Sequence, residues 1–488
     1  MPRLTLSTAI MALVLAGPAL AQTRVTLGQA LEPPNMDPTS GAAAAIRELT
    51  HLNIYEGLTR FRPDGTVAPG LAKSWDVSRD GRTWTFHLQD GVKFHDGTTM
   101  DAEDVRFTLD RARAPDSTNA QKHLFKSIET VEVIDPLTVR VVLSAPSGTF
   151  DFNMAWGDAV IMGPESAATN ATRPVGTGPY RLARWVKGDR VDLAANPDYW
   201  GEQPAITDVT FRFIPDPAAA MNAMMAGDVD AFPNYPAPET LALFLNDPRF
   251  QVIEGTTEGE TILGMNNRRA PLDDIRLRKA IGHAINRQEI IDGAMFGYGT
   301  PIGTHFAPHH PAYVDLTALS DHDPDKARAL LAEIGPVRVL HLQLPPPSYA
   351  RRGGEILASQ LREVGIETRI TNVEWAQWLE KVFKGGDFDL TIISHTEPMD
   401  INIYARDDYY FGYAKPEFVA LNEQIQVETD PARRSELLQQ AQRMIAEDSV
   451  NAFLFQLPKT TLARAELQGL WQNTPAPIVE LSSLRWQP

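Results

Sequence analysis

Residues 393–413 carry the side chains of this sequence that are best suited to chemistry. The stretch reads ISHTEPMDINIYARDDYYFGY, and it joins carboxylates, one histidine and several tyrosines directly after a short apolar run. Such a set is typical of a catalytic cluster, of a metal centre, or of the rim of a pocket that only binds a solute. The rest of the sequence helps to decide among these three.

The motifs of the common hydrolases are absent from the sequence. No serine stands between two glycines in the G-x-S-x-G spacing, which exposes a nucleophile at a strand-to-helix turn. No H-E-x-x-H pair occurs, and the chain has no cysteine to act as a nucleophile or zinc ligand. These absences argue against an enzyme, and a secreted hydrolase with an unrecognised site is the rival hypothesis from another class.

Two other segments have residue types that bind metals. DHDPD, at 321–325, spaces carboxylates like a calcium loop, but a lysine stands where that loop needs glycine, and helix capping explains the stretch better. THFAPHHPAY offers His305, His309 and His310, whose imidazoles could bind nickel. Proline-spaced histidines in a loop are more often solvated, so the sequence predicts no metal and no other cofactor.

The first residues have the layout of a secretory signal peptide. Arg3 supplies a positive charge, an apolar run reaches Leu20, and the small residues Ala19 and Ala21 mark a cleavage site. We therefore expect an exported, soluble protein whose mature chain begins at Gln22. Because no cysteine follows that point, a lipid anchor on a mature N-terminal thiol is excluded.

The composition is that of a large folded protein without disulfide bonds. The chain has 488 residues, of which 43% are hydrophobic, and this length predicts two or three domains. The absence of cysteine means that no disulfide framework is available. A formal net charge of −17 at pH 7 disfavours nucleic acid and anionic membranes as partners.

The first half of the chain mixes short strands with capped helices. TWTFHLQDGVKF alternates apolar and polar residues as a half-buried strand does, and VEVIDPLTVRVVL predicts two strands joined at Asp135 and Pro136. Asp101 and Asp104 are placed to cap the helix that follows DGTTM.

The second half of the chain alternates predicted strands and helices. This alternation indicates where residues 393–413 lie in the fold. Strands are predicted at VRVLHLQL, ETRITNV and FDLTIIS, with helices at RRGGEILASQLREVG and WAQWLEKVFKGG between them. This alternation predicts βαβ units and a largely parallel sheet. Ligands bind beyond the carboxyl ends of such strands, so a ligand loop is expected from Ser394 onward.

An ordered series of motifs resembles one family of binding proteins. It begins at Tyr55 with YEGLTRFRPDGTVAPGLAKSWDVSRDGRTWTFHLQDGVKFHDG, and it continues through PVGTGPYRLARW, ANPDYWGEQPAITDVTFRFI and MNNRRAPLDDIRLRKAIGHAINRQEII. Together these motifs resemble the signature of the family-5 extracellular solute-binding proteins, the dipeptide, oligopeptide and nickel binders of bacterial ABC importers. The resemblance covers nearly all of the chain after the signal peptide.

The resemblance implies an α/β, two-lobed periplasmic-binding-protein fold of type II, similar to cluster C, with an extra subdomain in lobe I. A chain that crosses between the lobes at least twice is suited to hinge closure around a ligand. By analogy, the parts are the signal peptide 1–21, lobe I at 22–56, 174–264 and 459–488, the extra subdomain at 57–173, and lobe II at 265–458.

The resemblance also implies a function. The protein would be a periplasmic monomer that captures a small polar solute, either a peptide or another amine-bearing compound, between its lobes. It would deliver the solute to an inner-membrane ABC permease, without catalysis and without nucleic acid as a partner. Nickel chelates, opines and oligosaccharides are the alternative ligands for the same fold.

Peptide-binding members of this family typically have glycine and tryptophan in the ligand loop, followed by an aspartate that pairs with the ligand's α-amino group. In this chain His395 takes the tryptophan position, and the acid is Glu397 or Asp400. This departure weakens the case for an ordinary dipeptide ligand but retains the pairing with a cation. Because buried carboxylates are costly unless paired, a closed cleft needs a cationic or hydrogen-bond-donating ligand there.

Residues for the other walls of the pocket are implied by their match to ligand-contacting positions of the family. Trp375 matches an aromatic that covers the ligand in peptide binders, whereas Trp378 is expected in the core. The alternative hypothesis is that residues 36–40 are structural turn residues, that the acids of the 393–413 stretch are solvated, and that its tyrosines are core. The candidate binding residues are Met36, Thr39, Ser40, Glu260, Thr261, Trp375, His395, Thr396, Glu397, Asp400, Tyr404, Tyr409 and Tyr410.

Overall fold

A computed structural model describes residues 22–41, 43–396 and 399–487. The predicted signal peptide at 1–21 and the candidate Glu397 lie outside the described residues. The strands are β1 Arg24–Gln29, β2 Thr59–Phe61, β3 Val67–Pro69, β4 Ala72–Val77, β5 Thr83–Leu88, β6 Ile128–Asp135, β7 Thr138–Leu143, β8 Tyr180–Val186, β9 Arg190–Ala195, β10 Asp208–Phe213, β11 Ala231–Phe232, β12 Phe250–Met265, β13 Thr300–Pro301, β14 Leu340–Leu344, β15 Thr368–Asn372, β16 Leu390–His395, β17 Asn451–Arg464, β18 Leu467–Gln468 and β19 Arg485–Trp486. The α-helices are α1 Ala44–Thr50, α2 Ala102–Arg113, α3 Phe150–Asn153, α4 Pro217–Ala226, α5 Ile275–Ala284, α6 Arg287–Met295, α7 Pro324–Ile334, α8 Ser348–Glu363, α9 Trp375–Trp378, α10 Pro416–Val427 and α11 Pro431–Glu447.

One mixed sheet of eleven strands runs through the molecule. Its order is β15-β14-β16-β12-β17-β11-β1-β10-β9-β8, with β13 paired to β17. The long strands β12 and β17 pair with each other, and they join the part of the sheet around β1 to the part around β14. We call β12 and β17 the crossing strands, because they connect these two parts of the sheet.

The expectation of a largely parallel sheet is wrong for the sheet as a whole. Parallel pairing is confined to β14 with its two neighbours and to β1 with its two neighbours. The crossover helix α8 joins β14 to β15 and so enforces their parallel direction. The crossing strands β12 and β17 instead pair antiparallel with every strand beside them.

A second sheet, of order β4-β5-β7-β6, is antiparallel throughout and carries α2 against it. The predicted alternation in β5 is confirmed, since Trp84, Phe86 and Leu88 are buried. The predicted capping of α2 is also confirmed. The Asp101 carboxylate accepts from the first turn, while the Asp104 carboxylate accepts from the Asp101 amide.

We predict that Asp101→Ala lowers the free energy of unfolding by about 1 kcal/mol, because it removes one half of this capping box. Urea denaturation measures the change. The matched control is Asp110→Ala, which removes only a partly exposed ion pair to Arg113 on the same helix and should cost roughly 0.3–0.5 kcal/mol. Equal losses in the two variants would contradict the capping argument.

The described helices include none that is both long and apolar enough to cross a membrane. The apolar residues instead form several buried clusters. One cluster lies beside the second half of β12 and takes in Tyr404, Tyr409 and Tyr410 together with Phe411 and Phe418. This cluster supports the loop that follows β16.

Candidate ligand-binding site

A cavity of about 850 Å³ lies between the four-stranded subdomain and the carboxyl end of β16. Its volume is within the range of pockets that enclose small organic ligands. The subdomain wall includes Gln121, His123, Lys126, Phe152, Asn153 and Trp156. The opposite wall includes Trp375, Trp378, His395, Thr396, Asp400, Arg406 and Tyr409.

Five of the predicted binding residues line this cavity: Trp375, His395, Thr396, Asp400 and Tyr409. All but Trp375 come from the stretch that follows the apolar strand in the sequence. A ligand in the cavity would therefore contact the loop that was expected beyond the carboxyl end of β16.

The predicted residues of the first turn lie elsewhere and do not line the large cavity. Met36 is fully buried in the core around β1. The Thr39 hydroxyl donates to the Asp37 carboxylate and accepts from Arg111, at 2.7 Å in each case. The Ser40 hydroxyl donates to the Asp37 carbonyl oxygen at 3.3 Å. These contacts favour the alternative hypothesis of structural turn residues.

Four other candidates are buried behind the cavity wall rather than in its lining. Thr261 lies on β12 and is 3.4 Å from the Ser394 hydroxyl, measured from oxygen to oxygen. Tyr404 accepts a hydrogen bond from Asn451 at 3.2 Å and belongs to the aromatic cluster. Glu260 contacts His305 behind the wall, and Tyr410 contacts His395 in the wall.

His305 is buried between two of the candidate carboxylates. Its Nδ1 is 3.1 Å from Oε1 of Glu260, and its Nε2 is 2.8 Å from Oδ1 of Asp400. Burial by itself lowers the pKa of His305, but the two carboxylates together outweigh this effect and raise the pKa to about 10. Burial raises the pKa of Glu260, and the positive charge of His305 opposes that rise. His305 is therefore a buried imidazolium at neutral pH.

His395 is a neutral histidine in the wall itself. Its Nε2 is 3.1 Å from the Tyr410 hydroxyl, and its Nδ1 is 3.3 Å from the Tyr409 hydroxyl. Burial lowers the pKa of His395 to about 4; the negative charge of Asp400 opposes this effect, and the charge of His305 adds to it. It can therefore offer one donor and one acceptor but no charge.

The expectation of solvated histidines at 305–310 is wrong. His309 has Nε2 2.7 Å from Oε1 of Glu258, and both side chains are at least nine-tenths buried. His310 stacks on Phe306, and burial lowers its pKa to about 4. The loop packs against β12 and is buried there, because the apolar residues beside these histidines, Ile302 and Phe306, belong to the core.

The donor atoms of Glu260, His305 and Asp400 lie within 4.8 Å of one another, which is close enough to suggest a metal centre. An imidazole must lose its second proton before it can bind a metal. Because His305 stands between two carboxylates that hold this proton, the group is an ion-pair network in the described structure.

Residues 66–413 match the profile of the family described as bacterial extracellular solute-binding proteins, family 5 Middle. The chain belongs to this family. This family-5 protein is 28% identical to the dipeptide-binding protein of Escherichia coli K12 over 432 residues, which cover 80% of the chain and 79% of the relative. It is 31% identical to the glutathione-binding protein GsiB of Salmonella paratyphi A over 373 residues, or 75% and 72% of the two chains.

Solved structures confirm the two-lobed fold of this family-5 protein. The chain is similar to HbpA2 of Haemophilus parasuis, with a TM-score of 0.84, 22% identity and coverage of 95% and 100% of the two chains. It is also similar to AgaA of A. tumefaciens R10 in complex with agropinic acid, with a TM-score of 0.76, 25% identity and coverage of 95% and 99%.

Sequence reasoning missed three residues around the cavity of this family-5 protein. Lys126 and Trp156 form part of the subdomain wall, and no local motif marks either of them. For His305 the sequence pattern indicates only a solvated side chain or a metal ligand. The apolar residues that flank it, Ile302 and Phe306, were the available signal for burial.

Proposed function

We propose that the protein captures a small zwitterionic solute, a short peptide or a similar amine-bearing compound, in the large cavity. The observation that carries the proposal is the carboxylate of Asp400, which lines the wall beyond β16, whereas cationic Lys126 stands on the subdomain wall. A ligand ammonium at Asp400 would pair with the carboxylate oxygen that His305 does not contact. A ligand carboxylate would find its partner at Lys126 or at Arg406, which also lines the cavity.

The names of the relatives support this class of ligand. They include dipeptide-binding, di/tripeptide-binding and glutathione-binding proteins, whose named ligands all carry an amine and a carboxylate. An opine is the second candidate, because AgaA binds agropinic acid and is 25% identical over most of the chain. His395 at the tryptophan position of peptide binders favours a ligand other than an ordinary dipeptide.

We further propose lobe I at 22–56, 174–264 and 459–488, the extra subdomain at 57–173, and lobe II at 265–458. The two crossing strands β12 and β17 support this division. In this arrangement the ligand shifts the population from open to closed lobes, and no bond in the ligand is broken. The closed form would then dock on an inner-membrane ABC permease from the periplasm.

Native mass spectrometry of the protein purified from the periplasm of its own host tests this proposal. We expect one chain that begins at Gln22 and carries a non-covalent adduct of a small solute, which denaturation releases unchanged. The mass of the adduct separates a peptide from an opine or a metal chelate. A chain that retains residues 1–21, or turnover of the released solute by fresh protein, would count against the proposal.

A further inference from the structure

We propose that His305 is a positioning residue of the ligand site. Its imidazolium holds the carboxylate of Asp400 in place, and the carboxylate of Glu260 holds His305 on the side away from the cavity. The inference rests on the proposed function, because it takes Asp400 as the partner of the ligand's ammonium group. It assigns a role to a side chain that never reaches the cavity.

The first step is the orientation of Asp400. The residue begins a 3-10 helix directly after Met399, whose φ of 62° is rare for a residue with a side chain. Oδ1 of Asp400 is buried and faces Nε2 of His305 at 2.8 Å. The side chain nevertheless keeps 16% of its surface exposed. Because Asp400 also lines the cavity, His305 would hold the inner oxygen and leave the outer one for a ligand.

The second step is the support of His305. Its side chain is 1% exposed, and the described residues offer Nδ1 no polar partner other than Oε1 of Glu260. The ring also meets Tyr404 edge to face, with the ring centroids 5.4 Å apart. Glu260 comes from β12, next to a register shift in its pairing with β17. The three groups thus form a line from the crossing strand through His305 to the cavity wall.

The third step is the charge around His305. The facing carboxylates are Glu260 on β12 and Asp400 on the loop after β16. His395 on β16 and His310 on the same loop as His305 are both held neutral at pH 7 by burial. Tyr404 also faces the ring, and burial raises the pKa of its hydroxyl well above the ordinary value. Within the described part of the chain, the charge that both carboxylates meet directly is therefore that of His305.

The loss of this cation has a particular consequence. Without it, Glu260 and Asp400 would be two buried carboxylates that face each other across an uncharged side chain. Like charges in a shared buried site raise the pKa of one carboxyl group strongly. A proton taken up by this coupled pair removes one of the two negative charges that attract an ammonium ion, so binding would become weaker as the pH falls. A residue with a purely structural role would not introduce this pH dependence.

The first arm of the test needs no ligand. Nitrogen-15 NMR of the histidine rings, with His305 assigned from its loss in His305→Gln, reports protonation of both ring nitrogens in the free protein. We expect both nitrogens of His305 to stay protonated at pH 8.5, two units above the ordinary pKa of about 6.5. A ring that titrates near that ordinary value would overturn the proposal. So would one equivalent of Ni²⁺ or Zn²⁺ bound by the wild type and lost in His305→Gln.

The second arm is calorimetric titration with L-alanyl-L-alanine between pH 6 and pH 8. We expect the wild type to bind with nearly constant affinity across this range, and His305→Gln to bind at least tenfold more weakly at pH 6 than at pH 8. The double variant Glu260→Gln/His305→Gln removes the like-charge pair, so the pH dependence should disappear again. The double variant also provides a protein to test if His305→Gln alone does not fold.

His283→Gln is the matched control, because His283 is equally buried beside a carboxylate, Asp321, on a part of the chain away from the cavity. It should leave the pH profile unchanged. The same flat profile in His305→Gln as in the wild type would overturn the positioning role. If the wild type does not bind L-alanyl-L-alanine, an ordinary dipeptide is excluded as the ligand, and the NMR arm still decides whether His305 is the cation of the network.

Discussion

Asp400→Asn should weaken the binding of an amine-bearing dipeptide such as L-alanyl-L-alanine by at least tenfold. The change keeps the shape of the side chain but removes its charge, and the ligand's ammonium group would then enter the cavity without a partner. Breaking one half of a desolvated charge pair typically costs about 2–5 kcal/mol. Calorimetric titration of the variant and the wild type at the same pH measures the loss directly.

Asp407→Asn is the matched control for this variant. Asp407 lies in the same loop but is 99% exposed, and its carboxylate meets Arg268 on the surface at 3.3 Å. Loss of such a solvated pair changes free energies by under about 1 kcal/mol. The two substitutions are chemically identical, so a difference in affinity between them reports the position of the carboxylate. Equal, wild-type affinity in both variants would show that Asp400 does not anchor the ligand.

Glu397 gives this experiment a third variant. The sequence predicts either Glu397 or Asp400 as the acid of the ligand loop, and Glu397 lies outside the described residues. If Glu397→Gln weakens binding tenfold while Asp400→Asn does not, the anchoring acid is Glu397. In that case Asp400 would serve only as the inner partner of His305.

Local features of the fold were predictable because neighbouring residues determine them. The caps of α2 and α7 depend on aspartates within three residues of the amides they bind, and both Asp101 and Asp323 do bind these amides. The position of the ligand loop was predictable for a related reason. An apolar strand followed by polar residues marks a carboxyl end, and β16 ends at His395, one residue beyond the predicted strand FDLTIIS.

The ion-pair network was not predictable, because its members are far apart in the sequence. Glu260, His305 and Asp400 come from a strand, a loop and a 3-10 helix that meet only after β12 and β16 have paired. No periodicity relates such positions. The subdomain wall was missed for the same reason, since the side of the subdomain that faces β16 depends on the packing of whole elements.

Gly148→Val should weaken ligand binding about tenfold or more without touching the ligand. The Gly148 amide donates to the Gln426 carbonyl oxygen at 2.8 Å, which joins the subdomain to the end of α10 across the edge of the cavity. A Cβ added at Gly148 would overlap the carbonyl oxygen of Glu428, which is backbone and cannot turn away as a flexible side chain can. The variant must therefore separate the two faces at this point.

The expected size of the effect follows from the population of the closed form. A ligand that binds between two faces has its affinity reduced by the fraction of molecules in which the faces can meet. A penalty of about 1.4 kcal/mol on the closed contact lowers affinity tenfold. Small-angle scattering at saturating ligand should accordingly give a larger radius of gyration for Gly148→Val than for the wild type, and stopped-flow mixing should show faster ligand release.

Gly353→Ala is the control for a glycine substitution. Gly353 lies inside α8, where an added Cβ would meet the Ile290 side chain at 3.4 Å, an ordinary van der Waals contact. Alanine in a helix interior is favoured over glycine by roughly 0.5–1 kcal/mol, so this variant should fold at least as well and bind as the wild type does. If Gly148→Val also binds and compacts like the wild type, the contact between Gly148 and Gln426 is not part of closure, and the faces of the cavity must meet elsewhere.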